Sequence, residues 1–158
     1  AGKSSLLAAI TNANPKIANY QFTTLNPNLG VASYDNKEIT IADIPGLVEG
    51  AHKGTGLGIQ FLKHIERCKS LLHLIDITNN DLKKSYEQVK NELKNYSSNL
   101  EKKRELIVLN KTDLVDKKEL DKIIKNFSKN IKSEVISITT LQKISISKIK
   151  AKLISYAT

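Results

Sequence analysis

Four short polar segments, in a fixed order along the chain, carry the residue types that hold a nucleoside triphosphate. Ala1-Gly2-Lys3-Ser4, followed by Ser5, reads as the tail of a phosphate loop of the form G-x-x-x-x-G-K-[ST]. In such a loop, backbone N–H groups and the N-terminus of the next helix cradle the β-phosphate. Lys3 then reaches the β- and γ-phosphate oxygens, and the Ser4 hydroxyl ligates magnesium. Asp43-Ile44-Pro45-Gly46 closes an apolar run. A carboxylate there holds the metal through water in the Walker-B manner, and Gly46 lets a backbone N–H approach the γ-phosphate with no side chain in the way. Each segment also has an ordinary reading, as a surface helix start or a Pro-Gly turn.

Asn110-Lys111-Thr112-Asp113 ends a later apolar run, and N-K-x-D suits guanine. The Asp113 carboxylate accepts from the ring N1–H and the exocyclic amine, two parallel bonds that adenine does not offer. Asn110 ties neighbouring loops together, and the Lys111 stem lies along the base. Thr23-Thr24, flanked by Phe22 and Leu25, sits in an Asn-rich stretch between the phosphate loop and Asp43. A Thr there ligates magnesium only while the γ-phosphate holds the loop closed, so Thr24 is a candidate sensor. Ser137-Ile138-Thr139 ends the last apolar run, where a base-contacting loop belongs; a purely structural reading stays open for it. The metal candidates are thus Ser4, Thr24 and Asp43, and the catalytic candidates Lys3, Thr24 and Gly46.

These residues need strand ends and helix starts to position them, and the chain supplies both. The pattern predicts helices over 3–12, 59–68, 118–129 and 144–156. Another runs from a cap at Asp81 through Leu82, Tyr86, Val89, Leu93 and Tyr96. Strands are expected at 29–34 and 38–43, joined at Asp35-Asn36, a dipeptide that favours a tight hairpin. Residues 71–76 and 105–110 are short apolar runs ending in a polar residue, the look of central parallel strands whose carboxyl ends carry function. A further strand is expected near 134–138. Strands alternating with helices imply a three-layer α/β fold, mostly parallel with one antiparallel pair. The strand that should feed the phosphate loop has no residues before Ala1, and the sequence reads as an internal fragment.

The 158 residues, 40% apolar and 26% charged, are enough for one ordinary domain with a core. No apolar run approaches the roughly 20 residues of a membrane-spanning helix. Cys68 is the only cysteine, which excludes an internal disulfide or a cysteine-based zinc cluster and suits a reducing, cytoplasmic setting. His52, His64 and His73 lack metal-ligand spacing. The formal charge of +9 comes almost wholly from lysine, with arginine only at positions 67 and 104. It is compatible with a nucleic-acid partner and equally with solvated helix faces.

Beyond the four segments, the chain resembles the Obg family of translation-factor-related GTPases over nearly its whole length. The resemblance rests on Asn19 to Val31 (NYQFTTLNPNLGV), on Asp43 to Asp76 (DIPGLVEGAHKGTGLGIQFLKHIERCKSLLHLID) and on NKTDL from Asn110. It implies a P-loop G domain in which Thr24 is the first-switch metal ligand and 43–76 hold the second switch, its helix and its strand. It further implies Mg²⁺-dependent GTP hydrolysis and potassium activation through an Asn one position before Ala1. The implied partners are GTP, GDP and the large ribosomal subunit, whose rRNA and protein the intact molecule would meet during assembly. A monomeric G domain over 1–158, flanked in the whole protein by a glycine-rich N-terminal domain and any C-terminal domain, completes the expectation.

Three departures stand out. Gln21 replaces the family's usual Pro, Ser-Ile-Thr-Thr replaces Ser-Ala-Ala in the last loop, and the start of the phosphate loop is absent. Like the family, the chain carries Leu47 where Ras-like enzymes place the Gln that orients the attacking water. An apolar side chain cannot orient water, so slow intrinsic hydrolysis is expected. Rival readings are a Drg-type GTPase, which shares the paired Thr, and a non-catalytic module that holds guanine nucleotide or contacts RNA.

Overall fold

The computed structural model describes residues 3–11, 16–17, 28–43, 66–96, 98–129, 131–139 and 143–157. The first helix, α1 (Lys3–Ile10), buries Leu6, Leu7 and Ile10, the stripe that a 3.6-residue period places on one face. Its last turn closes at Thr11, whose amide (3.2 Å) and hydroxyl (2.8 Å) both donate to the Leu7 carbonyl. The helix is therefore shorter than the expected 3–12. Gly30 lies under this end of α1. A Cβ there would come within 2.2 Å of Thr11 Cγ2, so only glycine permits the approach.

Gly30 belongs to β2 (Asn28–Tyr34), which pairs antiparallel with β3 (Lys37–Ala42) in the register Tyr34↔Lys37 to Leu29↔Ala42. Asp35 and Asn36 both take positive φ, 51° and 60°, as a two-residue hairpin turn matching the strand twist requires. The alternation in β3 holds, with Ile39 and Ile41 half-buried and Glu38 and Thr40 exposed. A two-residue strand, β1 (Lys16–Ile17), pairs antiparallel with the start of β2. Two residues are too few to leave a periodic signal, so this strand is not legible from the chain alone.

The second sheet is parallel. It is built from β4 (Ser70–Asp76), β5 (Arg104–Asn110) and β6 (Glu134–Ser137), in that order. Leu106, Ile107, Val108 and Leu109 of the central strand are all 0% exposed, because helices cover both faces. Leu106 and Val108 meet α1 and α5 (Lys143–Ala157) through Leu6, Ile10, Ile149 and Leu153. Ile107 and Leu109 face α2 (Leu82–Tyr96) and α4 (Lys117–Ser128) through Leu82, Tyr86, Leu120, Ile124 and Phe127. A four-residue helix, α3 (Ser98–Glu101), precedes β5. The result is the expected three-layer α/β fold. Among the described residues, however, the strands form two sheets, with no ladder between β3 and β4. The two are joined instead through one core: Ile39 and Ile41 of one and Leu72 and Leu74 of the other pack against the same buried cluster.

Asp81 caps α2 as its position suggested, its carboxylate accepting from the Lys84 amide at 3.0 Å. The helix expected over 59–68 lies largely outside the described residues. Lys83, Lys84 and Lys94 of α2 and Lys117, Lys118, Lys122 and Lys125 of α4 are exposed, as solvated helix faces are. No helix among the described residues is long and apolar enough to cross a membrane.

One polar cluster lies inside the α2 face of the parallel sheet. Glu105 is buried, and its Oε1 accepts from Tyr86 Oη (2.5 Å) and Ser133 Oγ (3.1 Å), with Lys90 Nζ at 3.5 Å. His73 stacks on Tyr86 at 5.3 Å, and its Nδ1 stands 4.0 Å from Glu105 Oε2. Burial pushes the His73 imidazole down from 6.5 to about 4, against the opposing pull of Glu105. The folded protein therefore holds His73 neutral where the unfolded chain would bind a proton. Its contribution to stability is complete above pH 6.5 and is lost as pH falls toward 4, a loss of roughly 3 kcal/mol. Urea unfolding of wild type and His73→Phe across this window checks it: the variant is expected to lose much of the pH slope, and an unchanged slope would assign it elsewhere.

Candidate functional site

The three parallel strands end together. Asp76 pairs in register with Asn110, and Leu109 with Ser137, so one sheet edge gathers Asp76, Asn110–Asp113 and Ser137–Thr139. Functional residues of open α/β sheets gather at this carboxyl edge. Asn110 is 1% exposed, and its carbonyl accepts the Ile77 amide at 3.1 Å, tying β5 to the loop after β4.

Lys111 turns the chain out of the strand. Its φ of 64° and ψ of 35° are left-handed, a conformation that costs a non-glycine residue of the order of 1–2 kcal/mol. Two contacts compensate. The Lys111 carbonyl accepts the Leu114 amide at 3.0 Å, and its Nζ meets Asp76 Oδ2 at 2.8 Å. The turn that follows is a 3₁₀ helix over Thr112–Leu114, which leaves Asp113 exposed. An exposed carboxylate beside a pinned turn is free to accept two donors from one planar ring.

Thr112 fastens this turn to the loop after β6. Its amide (3.3 Å) and hydroxyl (3.0 Å) both donate to the Ile138 carbonyl. The Ile138 amide in turn donates to the Leu109 carbonyl at 2.9 Å, and the Ile138 side chain is 1% exposed within the α1–α5 core. Ile138 is a core residue whose amide is spent on the Leu109 carbonyl, so that amide is not available to a ligand. Thr139 is buried, and residues 140–142 lie outside the described set.

Sequence alone assigns Asp76 no role beyond the polar end of the apolar run 71–76. Asp76 Oδ1 accepts from the Thr78 amide (2.9 Å) and hydroxyl (2.6 Å), which leaves Oδ2 for Lys111. Burial raises this carboxyl, but the hydrogen bonds from Lys111 and Thr78 outweigh it and hold its pKa at about 2, against an ordinary 3.8. Asp76 is thus ionised at any working pH. Its stabilising contribution is present above pH 3.8 and disappears only as pH falls toward 2.

Of the phosphate and metal candidates, Lys3 and Ser4 open α1, Ser5 is exposed in its first turn, and Asp43 is the half-buried residue directly after β3. Ala1, Gly2, Phe22, Thr23, Thr24, Leu25, Ile44, Pro45, Gly46 and Leu47 lie outside the described residues. Among the described residues no group of three His, Cys, Asp or Glu stands ready to hold a metal alone. The donor set offered instead, a Ser4 hydroxyl at a helix start and an Asp43 carboxylate at a strand end, is hard oxygen. That set fits Mg²⁺, which keeps waters and takes substrate phosphates as ligands rather than an all-protein cage.

The family model described as "50S ribosome-binding GTPase" matches residues 1–111. Over 156 residues the chain is 73% identical to GTPase Obg of Pelagibacter ubique (strain HTCC1062), covering 99% of this chain and 48% of that protein. Over 150 residues it is 53% identical to GTPase Obg of Ehrlichia canis (strain Jake), covering 95% of this chain and 42% of that one. The chain thus spans about half the length of the curated relatives it matches. Among solved structures, the cytosolic domain of the T. maritima FeoB iron transporter in its GMPPNP form superposes with a TM-score of 0.71. It covers 99% of this chain and 60% of that one at 19% identity, a likeness that speaks for the fold alone. The chain belongs to the 50S ribosome-binding GTPase family and, within it, is similar to the Obg GTPases.

Proposed function

We propose that residues 1–158 are the G domain of a larger GTP-hydrolysing switch. The observation that carries this is the joined pair of loops at the parallel strand ends. Lys111 is pinned to Asp76 and Thr112 to Ile138, and Asp113 is left exposed between them. In this reading Asn110 and Asp113 select guanine. Lys3 and the amides of Ala1, Gly2 and the start of α1 neutralise phosphoryl charge. Mg²⁺, bound through Ser4, Thr24 and Asp43, would supply further charge neutralisation on the β- and γ-phosphates. Loss of the γ-phosphate releases Thr24 and Gly46 and relaxes 18–28 and 46–58.

The finer reading takes the output from the likeness to Obg GTPases: a cytoplasmic protein that acts in large ribosomal subunit assembly, meets rRNA and ribosomal protein, and is activated by K⁺. Membership in a family of 50S ribosome-binding GTPases supports the partner. Phosphate release by the intact protein, with K⁺ and with or without large subunits, tests both levels. Turnover that rises with subunits supports the switch. No turnover under either condition favours a non-catalytic guanine-nucleotide or RNA-binding module.

Leu47 gives a narrower check. Leu47→Gln is expected to leave the hydrolysis rate within about three-fold, because one glutamine does not supply the loop geometry that aims water. A rise to Ras-like rates in single-turnover assays would show that this loop lacks only the amide.

A further inference from the structure

We propose that Asp76 is a positioning residue for guanine recognition, acting through Lys111. The proposal rests on the reading of Asn110–Asp113 as the guanine loop. Asp76 stands level with Asn110 on the neighbouring strand, so its carboxylate lies beside the point where β5 turns outward. One oxygen is occupied by the Thr78 amide and hydroxyl, which fixes the carboxylate plane and aims the other at Lys111 Nζ, 2.8 Å away. Lys111 is held at both ends, by this ion pair and by the Leu114 amide on its carbonyl. Between those points its methylene stem is drawn back toward the end of β4.

Two physical consequences follow. A lysine in left-handed backbone is strained, and the tether to Asp76 favours that backbone, which sets where Asp113 emerges two residues later. Lysine also carries one of the largest side-chain entropies, and the tether removes part of it before a nucleotide arrives. The Lys111 side chain is 42% exposed and that of Asp76 22%, so the pair sits in water-screened surroundings. A surface ion pair adds little to stability by itself. Its effect belongs in nucleotide affinity, where preorganisation counts, more than in folding.

The experiment measures Kd and release rate for a fluorescent GDP in the intact protein, for Asp76→Asn, Lys111→Met and the double variant, with Asp113→Asn as the check on the underlying reading. Asn keeps the size of Asp76 and can still accept from Thr78. Asp76→Asn is expected to raise the GDP Kd about five-fold, mostly through faster release. The double variant is expected to be no weaker than Lys111→Met within about two-fold, because residues acting as one unit are non-additive. The matching loss for GTP is expected in KM more than in kcat. Asp76→Glu, which retains the charge, is expected to recover part of the loss. An Asp76→Asn Kd within about 1.5-fold of wild type, or effects that multiply in the double variant, would overturn the proposal while Asp113→Asn still lost guanine preference. Unchanged preference in Asp113→Asn would remove the guanine loop itself and the proposal with it.

Discussion

Asp113→Asn is expected to weaken GDP binding by on the order of 10³-fold and to strengthen xanthosine diphosphate binding by a comparable factor. The reason is donor–acceptor matching on one ring edge. Guanine presents N1–H and an exocyclic amine, both donors, to a carboxylate that only accepts. An asparagine turns one of those oxygens into an amide donor, which then faces the guanine amine donor to donor. Xanthine carries a carbonyl where guanine has the amine, so the same asparagine regains two bonds. Asp113 is exposed within the 3₁₀ turn Thr112–Leu114, so the exchange disturbs no core packing and the fold is expected to persist. Competition of labelled GDP by unlabelled guanosine and xanthosine diphosphates measures both effects. Shifts smaller than three-fold in either direction would mean that Asn110–Asp113 is not the base-reading loop.

Lys3→Ala is expected to reduce GTP turnover by about 10²–10³-fold and to weaken binding of both nucleotides. Charge spreads over the γ-phosphoryl oxygens in the transition state, and Lys3 opens α1, whose N-terminal amides already favour an anion there. The cation and the helix end act on the same oxygens, so removing one leaves the other to bear the charge alone. α1 is anchored through Leu6, Leu7 and Ile10, which the substitution leaves in place. An unchanged unfolding midpoint with lost phosphate release is therefore the expected pair of results. Turnover within three-fold of wild type would exclude Lys3 from the phosphate site.

Much of this was legible in the chain because local chemistry decides it. Asp35-Asn36 specifies a two-residue hairpin, since few residues accept two consecutive left-handed positions, and both take them here. Asp81 begins α2 because a short carboxylate reaches the amide three residues on. The stretch 106–109 declares a central strand because a strand covered on both faces is apolar at successive positions, and Leu106 to Leu109 are fully buried. The order of Lys3, Asp43 and N-K-x-D likewise needs no coordinates to be read.

Other features depend on residues distant in sequence. β1 exists only because β2 offers it a ladder. Thr11 and Gly30 touch because a helix end lies over a strand, a contact of 19 positions along the chain that leaves no local trace. Ile138 reads as part of a base loop by its place after a strand, yet packing between α1 and α5 draws its side chain into the core and the sheet takes its amide. The sequence by itself determined the order of the candidate segments, those proposed to meet phosphate, metal and guanine, and most of the strands and helices that carry them. Tertiary structure alone decided that Asp76, 35 positions before Lys111, stands beside it. Parallel pairing sets strand ends level, and a carboxylate's reach across neighbouring strands is a property of register, which no stretch of sequence contains.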